Sequence, residues 1–362
     1  MTSRERILAA LDHRPPDRLP LWETTIWPQT LARWYGEGLP GEVTLEHRAR
    51  LDEYFGLDPL AAVNDLFDPS FGLPVHTLEE TDEHRVYVDA YGKTIKEWRD
   101  GRGVPSMLAP ALRTRVEWER LKPALAVSPE KFNNPAAELQ YQAAQRAGHF
   151  TAITPPDPMW FILYQTLGFE QGLMCMLREP ALVADMAATY TEYLLGMLRL
   201  ALARGYRFDA LWFWSDLCYV NGLLFSPKAG RRFAVPYWTQ LAEFAHANGM
   251  RLMLHCDGNV GQLIPLLLEA GFDALHPLEA RAGNDVREYK RLYGERLCLI
   301  GNINADIVAT NDPQAIEREV AAKVPVAAAG GGYIYNIDHS VPPTVSLASY
   351  RHLLKCVQRY SA

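Results

Sequence analysis

The segment His255-Cys256-Asp257 combines two side-chain types that bind divalent metal ions or move protons. Side chains of a strand alternate between its two faces, so His255 and Asp257 are expected on one face and Cys256 on the other. A neutral imidazole and a carboxylate on one face can hold zinc or a similar divalent ion. The same spacing also fits a hydrogen-bonded histidine beside an aspartate that caps the next helix, with Cys256 packed against the helices.

Acids and histidines also follow other apolar runs of the chain. His339 follows the last run, and with either Asp338 or Glu279 it can complete three ligands and leave one position open for catalysis. Asp216 follows the aromatic run 212–214, where apolar surface is expected to raise the pKa of a carboxyl group. Asp216 therefore fits an acid, a base, a metal ligand or the N-cap of a helix.

Further polar and aromatic residues lie beside the expected strand ends. The polar ones are Glu23, Asn64, Asp65, Asp68, Asp157, His276, Asn302 and Asn304. A set of tryptophans near the same ends can either wall an apolar ligand pocket or belong to the core. These are Trp22, Trp27, Trp34 and Trp160. A rim that served the fold alone would not require so many polar groups, because each one costs stability.

These residues require a scaffold that brings many strand ends together. From residue 130 onward, helices alternate with short apolar strands, which is the pattern of right-handed βα units in a parallel sheet. The expected helices are 135–147, 180–204, 227–248, 260–270, 284–293, 312–324 and 345–360, and the expected strands are 150–154, 209–214, 250–255, 273–276, 297–300 and 332–335. Early strands at 18–22 and 60–66 bring the count to eight, which predicts an α/β fold, a single (β/α)8 TIM barrel over residues 1–362.

The segment before residue 130 departs from this alternation. Residues 84–98 contain two alternating runs around the turn 90–92, which predicts a β-hairpin inserted into the barrel. A first helix is predicted over 4–13, with Ser3 as its N-cap. A doubly wound sheet is the competing architecture, but no GxGxxG follows the first strand. Barrel active sites lie at the carboxyl ends of the strands, so the polar residues above are expected to converge there.

Composition limits the classes of function. The chain has 362 residues and a net charge of −7, and its longest basic cluster is Arg231-Arg232, so no nucleic-acid partner is expected. No run approaches the roughly 20 apolar residues of a membrane helix, and the first residues lack the apolar core of a signal peptide. Five scattered cysteines without a CxxC pair indicate reduced thiols. We therefore expect an acidic cytoplasmic enzyme.

Several separate blocks of the sequence resemble the uroporphyrinogen decarboxylase superfamily. The blocks are 4–12, 16–22, 225–228, 235–237, 255–260, 270–278, 293–294, 301–304, 331–334 and 339–343. They occur in the order found in that superfamily and extend over nearly the whole chain. The resemblance implies a (β/α)8 barrel with its site in the cleft at the carboxyl ends of the strands.

That superfamily contains two chemistries, cofactor-free decarboxylation of uroporphyrinogen and zinc-dependent methyl transfer that involves a methylated corrinoid protein. Its decarboxylases carry Arg-x-x-x-Arg after the first strand, whereas this chain has Glu23 and neither arginine in the segment 21–28. A substrate with eight carboxylates needs cationic side chains to hold it. Asp65 is a loose counterpart of the decarboxylase aspartate after the second strand. The resemblance therefore favours methyl transfer.

The methyltransferases of the superfamily carry His-x-Cys-Gly after the fifth strand and a cysteine after the eighth. The matching positions here are His255, Asp257 and His339, so the resemblance implies a metal site of two imidazoles and one carboxylate. Such a set lacks the thiolates that suit thiol activation, and it is better suited to polarising an oxygen. We expect a small oxygen-linked methyl donor, zinc as the ion, and a corrinoid (cobalamin) carried by a partner protein.

The expected roles of the other residues follow from their positions. Glu279 or Asp216 handles protons in methyl transfer, and Asp65 or Asp216 stabilises a cationic intermediate if the reaction is instead a metal-free decarboxylation. The residues expected to bind substrate are Trp22, Glu23, Trp27, Trp160 and Asn302. A barrel that binds a small molecule without turnover is a third hypothesis, and a homodimer is compatible with the resemblance.

Overall fold

The structure, a computed structural model, describes residues 1–45, 48–100 and 105–361. Its strands are β1 (Leu60–Asn64), β2 (His76–Glu80), β3 (His84–Val88), β4 (Thr94–Trp98), β5 (Ser106–Ala109), β6 (Phe150–Thr154), β7 (Ala210–Trp214), β8 (Cys218–Tyr219), β9 (Gly222–Leu223), β10 (Arg251–His255), β11 (Ala274–His276), β12 (Cys298–Ile300) and β13 (Tyr333–Ile334).

The α-helices are α1 (Ser3–Leu11), α2 (Pro28–Gly36), α3 (Arg48–Phe55), α4 (Arg115–Leu121), α5 (Pro135–Ala147), α6 (Trp160–Leu167), α7 (Phe169–Arg178), α8 (Pro180–Ala203), α9 (Pro227–Phe233), α10 (Val235–Ala247), α11 (Ile264–Ala270), α12 (Val286–Tyr293), α13 (Ala305–Ala309), α14 (Pro313–Ala328) and α15 (Leu347–Tyr360). Short 3-10 helices cover Lys122–Ala124, Pro129–Lys131 and Ala280–Ala282. No helix in the described ranges is both long and apolar enough to cross a membrane.

The main sheet is parallel and curls into a barrel. Its strands lie in the order β1-β6-β7-β10-β11-β12-β13. The segment around Leu21 fills the gap between the two ends, because Leu21 forms a parallel bridge with Tyr335 and its carbonyl accepts a hydrogen bond from Asp58 N–H. Within the described ranges, this arrangement confirms the predicted (β/α)8 barrel.

The two-residue alternation of the strands separates the barrel interior from the layer beneath the helices. The interior contains Phe150, Ala152, Ala210, Trp212, Met253, Ala274, Cys298, Ile300 and Ile334. The alternation continues to the last residues of β7, β10 and β11, so these side chains also face the barrel axis. They are Trp214, His255 and His276. Cys256 is fully buried in the core under the helices, as its position in the alternation predicted.

The predicted hairpin is part of a larger inserted sheet. β3 and β4 pair in antiparallel fashion from His84↔Trp98 to Val88↔Thr94, which confirms the hairpin expected over 84–98. Two further strands, β2 and β5, flank it in the order β2-β3-β4-β5. The sequence missed β2 because all five of its residues are exposed, so it lacks the apolar alternation that marks a half-buried strand.

Several element bounds differ from the sequence prediction for local reasons. The helix predicted over 227–248 is divided into α9 and α10, because Pro236 has no N–H and its ring disfavours a continuous helix. The N-cap of α1 is Thr2 rather than Ser3, and Thr2 forms a capping box with Glu5. The strand predicted over 18–22 is limited to a single bridge at Leu21.

Candidate metal centre

The carboxyl ends of β7 and β10 bring together one histidine and two aspartates. His255 ends β10, and its Nε2 lies 3.8 Å from Asp257 Oδ2 and 3.9 Å from Asp216 Oδ1. Asp216 lies in the loop after β7, where its Oδ1 accepts a hydrogen bond from Asp257 N–H at 3.1 Å. One donor atom from each of the three residues lies within 4.8 Å of the other two. This spacing lets a single divalent ion contact all three side chains.

His339 adds a second imidazole to the same cluster. Its Nε2 lies 3.6 Å from Asp257 Oδ2, and its side chain is 38% exposed. Asp257 is therefore shared between His339 and His255. The structure brings the three residues predicted as ligands together, and it adds Asp216, which the sequence assigned to proton transfer. Metal binding by this set stays a prediction.

Asp257 Oδ1 is the observation that tests whether the cluster fits a metal ion. This oxygen is buried, and it has no hydrogen-bond partner among the described residues. A buried carboxylate oxygen without a partner is costly, because it loses its hydration and gains nothing in return. The contacts to His255 and His339 are made through the other oxygen, Oδ2, so a divalent cation bound by both carboxylate oxygens of Asp257 would satisfy Oδ1. The donor set of imidazole nitrogen and carboxylate oxygen suits zinc and similar ions.

The electrostatics of the cluster favour the protonation states that bind metal. Burial lowers the pKa of His255, although the neighbouring carboxylates of Asp257 and Asp216 oppose this effect. Burial alone would raise the pKa of Asp257, but the imidazoles of His339 and His255 outweigh it and lower that pKa. The Asp257 carboxylate in turn raises the pKa of His339. Near neutral pH, a neutral His255 and an ionised Asp257 therefore face each other, and both forms bind cations.

His276 is a member of the site that sequence reasoning did not connect to it. Its Nδ1 lies 2.8 Å from His255 Nδ1. Trp214 stacks on the other side of His255, with ring centroids 4.3 Å apart and an interplanar angle of 20°. The parallel register of β10 and β11 pairs His255 with His276, so these two strand-end histidines are neighbours in the barrel. The strand order alone could have indicated this contact.

A cavity of about 760 Å³ opens between the strand ends and the inserted sheet. Its lining includes Asp65, Asp68, Asp89, Tyr91, Phe161 and Trp214. Among the described residues that line it, none is a lysine or an arginine. Trp214 connects this cavity to the cluster, because the same ring stacks on His255. The cavity is therefore an acidic and aromatic space beside the candidate metal centre.

Asp65 is a lining residue with a strained backbone and a partly buried carboxyl group. It follows β1 with a φ of 53°, in the left-handed region that non-glycine residues rarely adopt. Burial raises the pKa of its carboxyl group, and the neighbouring Asp68 raises it further. Backbone strain and a raised pKa often coincide at functional sites. Asp65 thus lies at the cavity, and the catalytic role expected for it from the sequence stays a prediction.

Three of the five residues predicted to bind substrate are buried elsewhere, so these predictions are wrong. Glu23 is 0% exposed and accepts hydrogen bonds from Tyr335 and Tyr350 at 2.8 and 3.2 Å. Asn302 is 0% exposed, and its amide donates to the carbonyls of Leu278 and Asn284.

The three predicted tryptophans have different settings. Trp22 is buried in the barrel interior, where its ring lies 5.3 Å from that of Trp212, so it does not contact substrate. Trp27 is 42% exposed at the start of α2 and lines neither of the two cavities that border Trp214. Trp160 borders the second of these, a cavity of about 370 Å³ on the side of Trp214 that faces Asp216.

Glu279 and Asp338 support the loops around the site rather than face substrate. Glu279 is 7% exposed, accepts a hydrogen bond from Gly258 N–H at 2.9 Å, and is paired with Arg281. With both oxygens engaged, Glu279 is not free to protonate a leaving group, which corrects the role expected for it. Burial raises the pKa of Asp338 to about 6, and this carboxyl group accepts hydrogen bonds from the backbone of two loops.

A second group of potential ligands lies outside the barrel, on α14 and α15. It consists of Glu317, His352 and Cys356. Glu317 already accepts hydrogen bonds from Arg359 and Tyr360 at 2.8 and 3.0 Å. The guanidinium opposes a cation at this place, so we favour the strand-end cluster as the metal centre.

The buried carboxyl group of Glu23 gives the fold a testable pH dependence. Burial raises the pKa of Glu23 to about 7 from an ordinary value of 4.5, although hydrogen bonds from Tyr335, Ile337 and Tyr350 oppose this rise. The folded state therefore binds more protons than the unfolded state between these pH values. The contribution of this group to stability falls as pH rises from about 4.5 to about 7, and levels off above that.

Replacing Glu23→Gln is expected to remove up to about 3 kcal/mol of this pH dependence. The measurement is the free energy of unfolding by denaturant at pH 5 and pH 8. The variant gains stability relative to the unsubstituted protein at pH 8, because glutamine cannot ionise. An exposed control, Glu295→Gln, should leave the difference between the two pH values unchanged. If the Glu23→Gln variant showed the same pH dependence of stability as the unsubstituted protein, Glu23 would not be the group responsible.

By sequence, the chain matches one protein family and several of its curated members. The family described as uroporphyrinogen decarboxylase (URO-D) matches residues 97–360. Uroporphyrinogen decarboxylase of Coxiella burnetii is 25% identical over 143 residues, which is 39% of this chain and 38% of that protein. The enzyme of Pseudomonas paraeruginosa is 27% identical over 186 residues, which is 50% of this chain and 48% of that protein. The chain thus aligns with about half of these relatives or less.

A solved structure extends the similarity over the whole chain. A methyltransferase from Methanosarcina mazei superposes with a TM-score of 0.66 and covers 100% of both chains. Its sequence identity is 18%, so the likeness establishes the shared fold.

Proposed function

The chain belongs to the uroporphyrinogen decarboxylase family, and within that family we propose that it is a metal-dependent methyltransferase. It moves a methyl group from a small oxygen-linked substrate to a corrinoid protein. The observation that carries the proposal is the strand-end cluster of His255, Asp257 and Asp216, in which the buried Asp257 Oδ1 has no hydrogen-bond partner in the part of the chain that the structure describes.

The residues of the cluster divide into ligands and support. His255, Asp257 and Asp216 would hold the ion, and His339 approaches Asp257 from the exposed side. A bound divalent ion supplies a Lewis acid that polarises the oxygen from which the methyl group departs. Trp214 packs against His255 and keeps one face of that imidazole away from water.

The transfer requires a proton for the leaving oxygen. On cleavage of the carbon–oxygen bond, the oxygen would keep the bonding electrons and take a proton, and a reduced corrinoid on the partner protein would supply the electron pair that accepts the methyl group. Asp65 lines the cavity, and its raised pKa favours the protonated form that a general acid needs. Asp65 rather than Glu279 is therefore the proposed proton donor for the leaving oxygen.

The cavity disfavours the decarboxylation after which the relatives are named. A uroporphyrinogen carries eight carboxylates, and binding it requires cationic side chains. The described lining holds Asp65, Asp68 and Asp89 without a lysine or an arginine. Lys131 and Lys93 neutralise Asp68 and Asp89 at 3.7 and 3.5 Å, so neither lysine is available for a substrate carboxylate.

The test is a methyl-transfer assay with free cob(I)alamin as the acceptor and a panel of methyl ethers as donors. The zinc-loaded protein is expected to form methylcobalamin and the demethylated alcohol or phenol in equal amounts, followed by absorbance and mass spectrometry. The Asp257→Asn variant should lose at least about 100-fold in rate, consistent with loss of a metal ligand. Release of CO2 from uroporphyrinogen by the metal-free protein, with no methyl transfer from any donor, would overturn the proposal.

A further inference from the structure

His276 and Asn336 connect His255 to the backbone at the opposite side of the barrel mouth. His255 Nδ1 lies 2.8 Å from His276 Nδ1, and His276 Nε2 lies 3.2 Å from Asn336 Oδ1. Asn336 Nδ2 donates to the carbonyl of Trp22 at 3.0 Å and to Glu23 Oε2 at 3.3 Å. These contacts form one continuous chain of hydrogen bonds.

The partners of Asn336 determine which way its amide points. A backbone carbonyl only accepts, so the group beside the Trp22 oxygen must be the amide NH2. Turning the amide over would set its oxygen against this carbonyl and against the Glu23 carboxyl group. Asn336 Oδ1 therefore faces His276, and because this oxygen carries no proton, His276 Nε2 must carry one. That proton is shared between Asn336 Oδ1 and the nearer Thr24 Oγ1, at 3.2 and 2.8 Å.

His276 sits in surroundings that keep its imidazole neutral. It is 1% exposed, and its ring centroid lies 5.2 Å from that of Trp22 and 5.8 Å from that of Trp212. A charged imidazolium there would lose its hydration, and the groups at hydrogen-bond distance from its ring, Thr24, His255 and Asn336, include no carboxylate. A neutral imidazole has one proton, and with that proton on Nε2 the Nδ1 atom is bare. The contact at 2.8 Å then requires His255 to donate through its own Nδ1–H.

We propose that Asn336 and His276 are positioning residues that hold His255 in its Nδ1–H tautomer and so keep its Nε2 lone pair free at the metal centre. Nε2 is the atom that faces Asp257 and Asp216, at 3.8 and 3.9 Å. An imidazole with a proton on Nε2 could not ligate an ion there. The role of Asn336 and His276 in metal binding rests on the proposed function. The Nδ1–H tautomer of His255 itself is expected with or without a bound metal.

The experiment is ¹⁵N NMR of the metal-free protein labelled in its histidine side chains. The His255 signals are identified by their absence from a His255→Ala sample. In the unsubstituted protein, His255 is expected to be protonated at Nδ1 and bare at Nε2. The Asn336→Leu variant removes the partner of His276 Nε2 that can only accept and leaves Thr24 Oγ1, which can donate to Nε2. Protonation at His255 Nε2 should then appear, and the affinity for Zn²⁺ should fall about 10- to 100-fold.

A matched control removes a different partner of His276. Thr24 Oγ1 lies 2.8 Å from His276 Nε2, and Thr24→Val removes this hydroxyl while Asn336 stays in place. The control should retain the Nδ1–H form of His255. A proton on His255 Nε2 in the unsubstituted protein, or an Asn336→Leu variant with unchanged tautomer and Zn²⁺ affinity, would overturn the inference. The first of these results needs no variant, so it decides the matter even if Asn336→Leu does not fold. A protein with the expected tautomer that binds no Zn²⁺ would instead count against the proposed function.

Discussion

Replacing Asp257→Asn is expected to weaken the binding of Zn²⁺ by more than about 100-fold. Asp257 Oδ2 lies between two imidazoles, 3.8 Å from His255 Nε2 and 3.6 Å from His339 Nε2, and Asp257 Oδ1 is buried without a hydrogen-bond partner among the described residues. Removing an outer partner of a metal ligand typically costs about 10- to 100-fold in affinity, so removal of a charged ligand should cost more. The measurement is competition for Zn²⁺ with a chromophoric chelator.

Asp216→Asn is the matched control for this change, because it removes one charge from the same cluster. The Asp216 side chain is 63% exposed, whereas that of Asp257 is 31% exposed. Water screens the exposed charge more strongly, so the loss of affinity should be about tenfold. Equal losses in the two variants would contradict the central place assigned to Asp257, and no loss in either would remove the cluster as a metal site.

A large loss of stability is expected when Gly301→Ala is introduced at the end of β12. Gly301 has a φ of +114°, and an added Cβ would lie 1.8 Å from the carbonyl oxygen of Pro277. That oxygen belongs to the backbone just after β11, so it cannot move away without disturbing the strand end that carries His276. Strain and overpacking together should cost about 3 kcal/mol or more. Denaturant unfolding monitored by tryptophan fluorescence measures the effect.

Gly249→Ala is the control that measures the cost of the backbone conformation alone, without the close contact made at Gly301. Gly249 also has a positive φ, +74°, but nothing lies within 4 Å of an added Cβ. Its replacement should cost about 1 kcal/mol, the usual penalty for a left-handed residue with a side chain. If the two variants lost the same stability, the packing of β12 against the loop after β11 would not be the cause.

The barrel could be predicted because its strands and helices repeat a local pattern. The expected bounds 135–147 and 150–154 agree with α5 and β6, and the alternation along β10 correctly separated His255 from Cys256. Such patterns depend on residues close in sequence. The inserted sheet was found only in part, because the exposed β2 carries no apolar period.

The environment of Glu23 depends on residues that are distant in sequence. Tyr335 comes from the loop after β13 and Tyr350 from α15, and both cover the Glu23 carboxyl group. A strand-end acid that faces substrate and one that is buried behind the site have the same local sequence pattern. The sequence therefore identified Glu23 as polar and close to the site but assigned it the wrong role.

The inserted sheet contributes directly to the proposed substrate site. Asp89 and Tyr91, at the turn between β3 and β4, line the large cavity together with Asp65. The hairpin was predicted, but its orientation over the barrel mouth depends on contacts that leave no local pattern. The described lining of this cavity contains no lysine or arginine for a porphyrinogen carboxylate.

Metal content is the most direct test of the central claim that the strand-end cluster is a metal centre. The protein is purified, incubated with Zn²⁺, dialysed and analysed by elemental mass spectrometry, with His255→Ala treated in parallel. The expected result is about one tightly held ion per chain, lost in the variant. Absence of a tightly held ion from the reconstituted, folded protein, or retention of the ion by His255→Ala, would contradict the account.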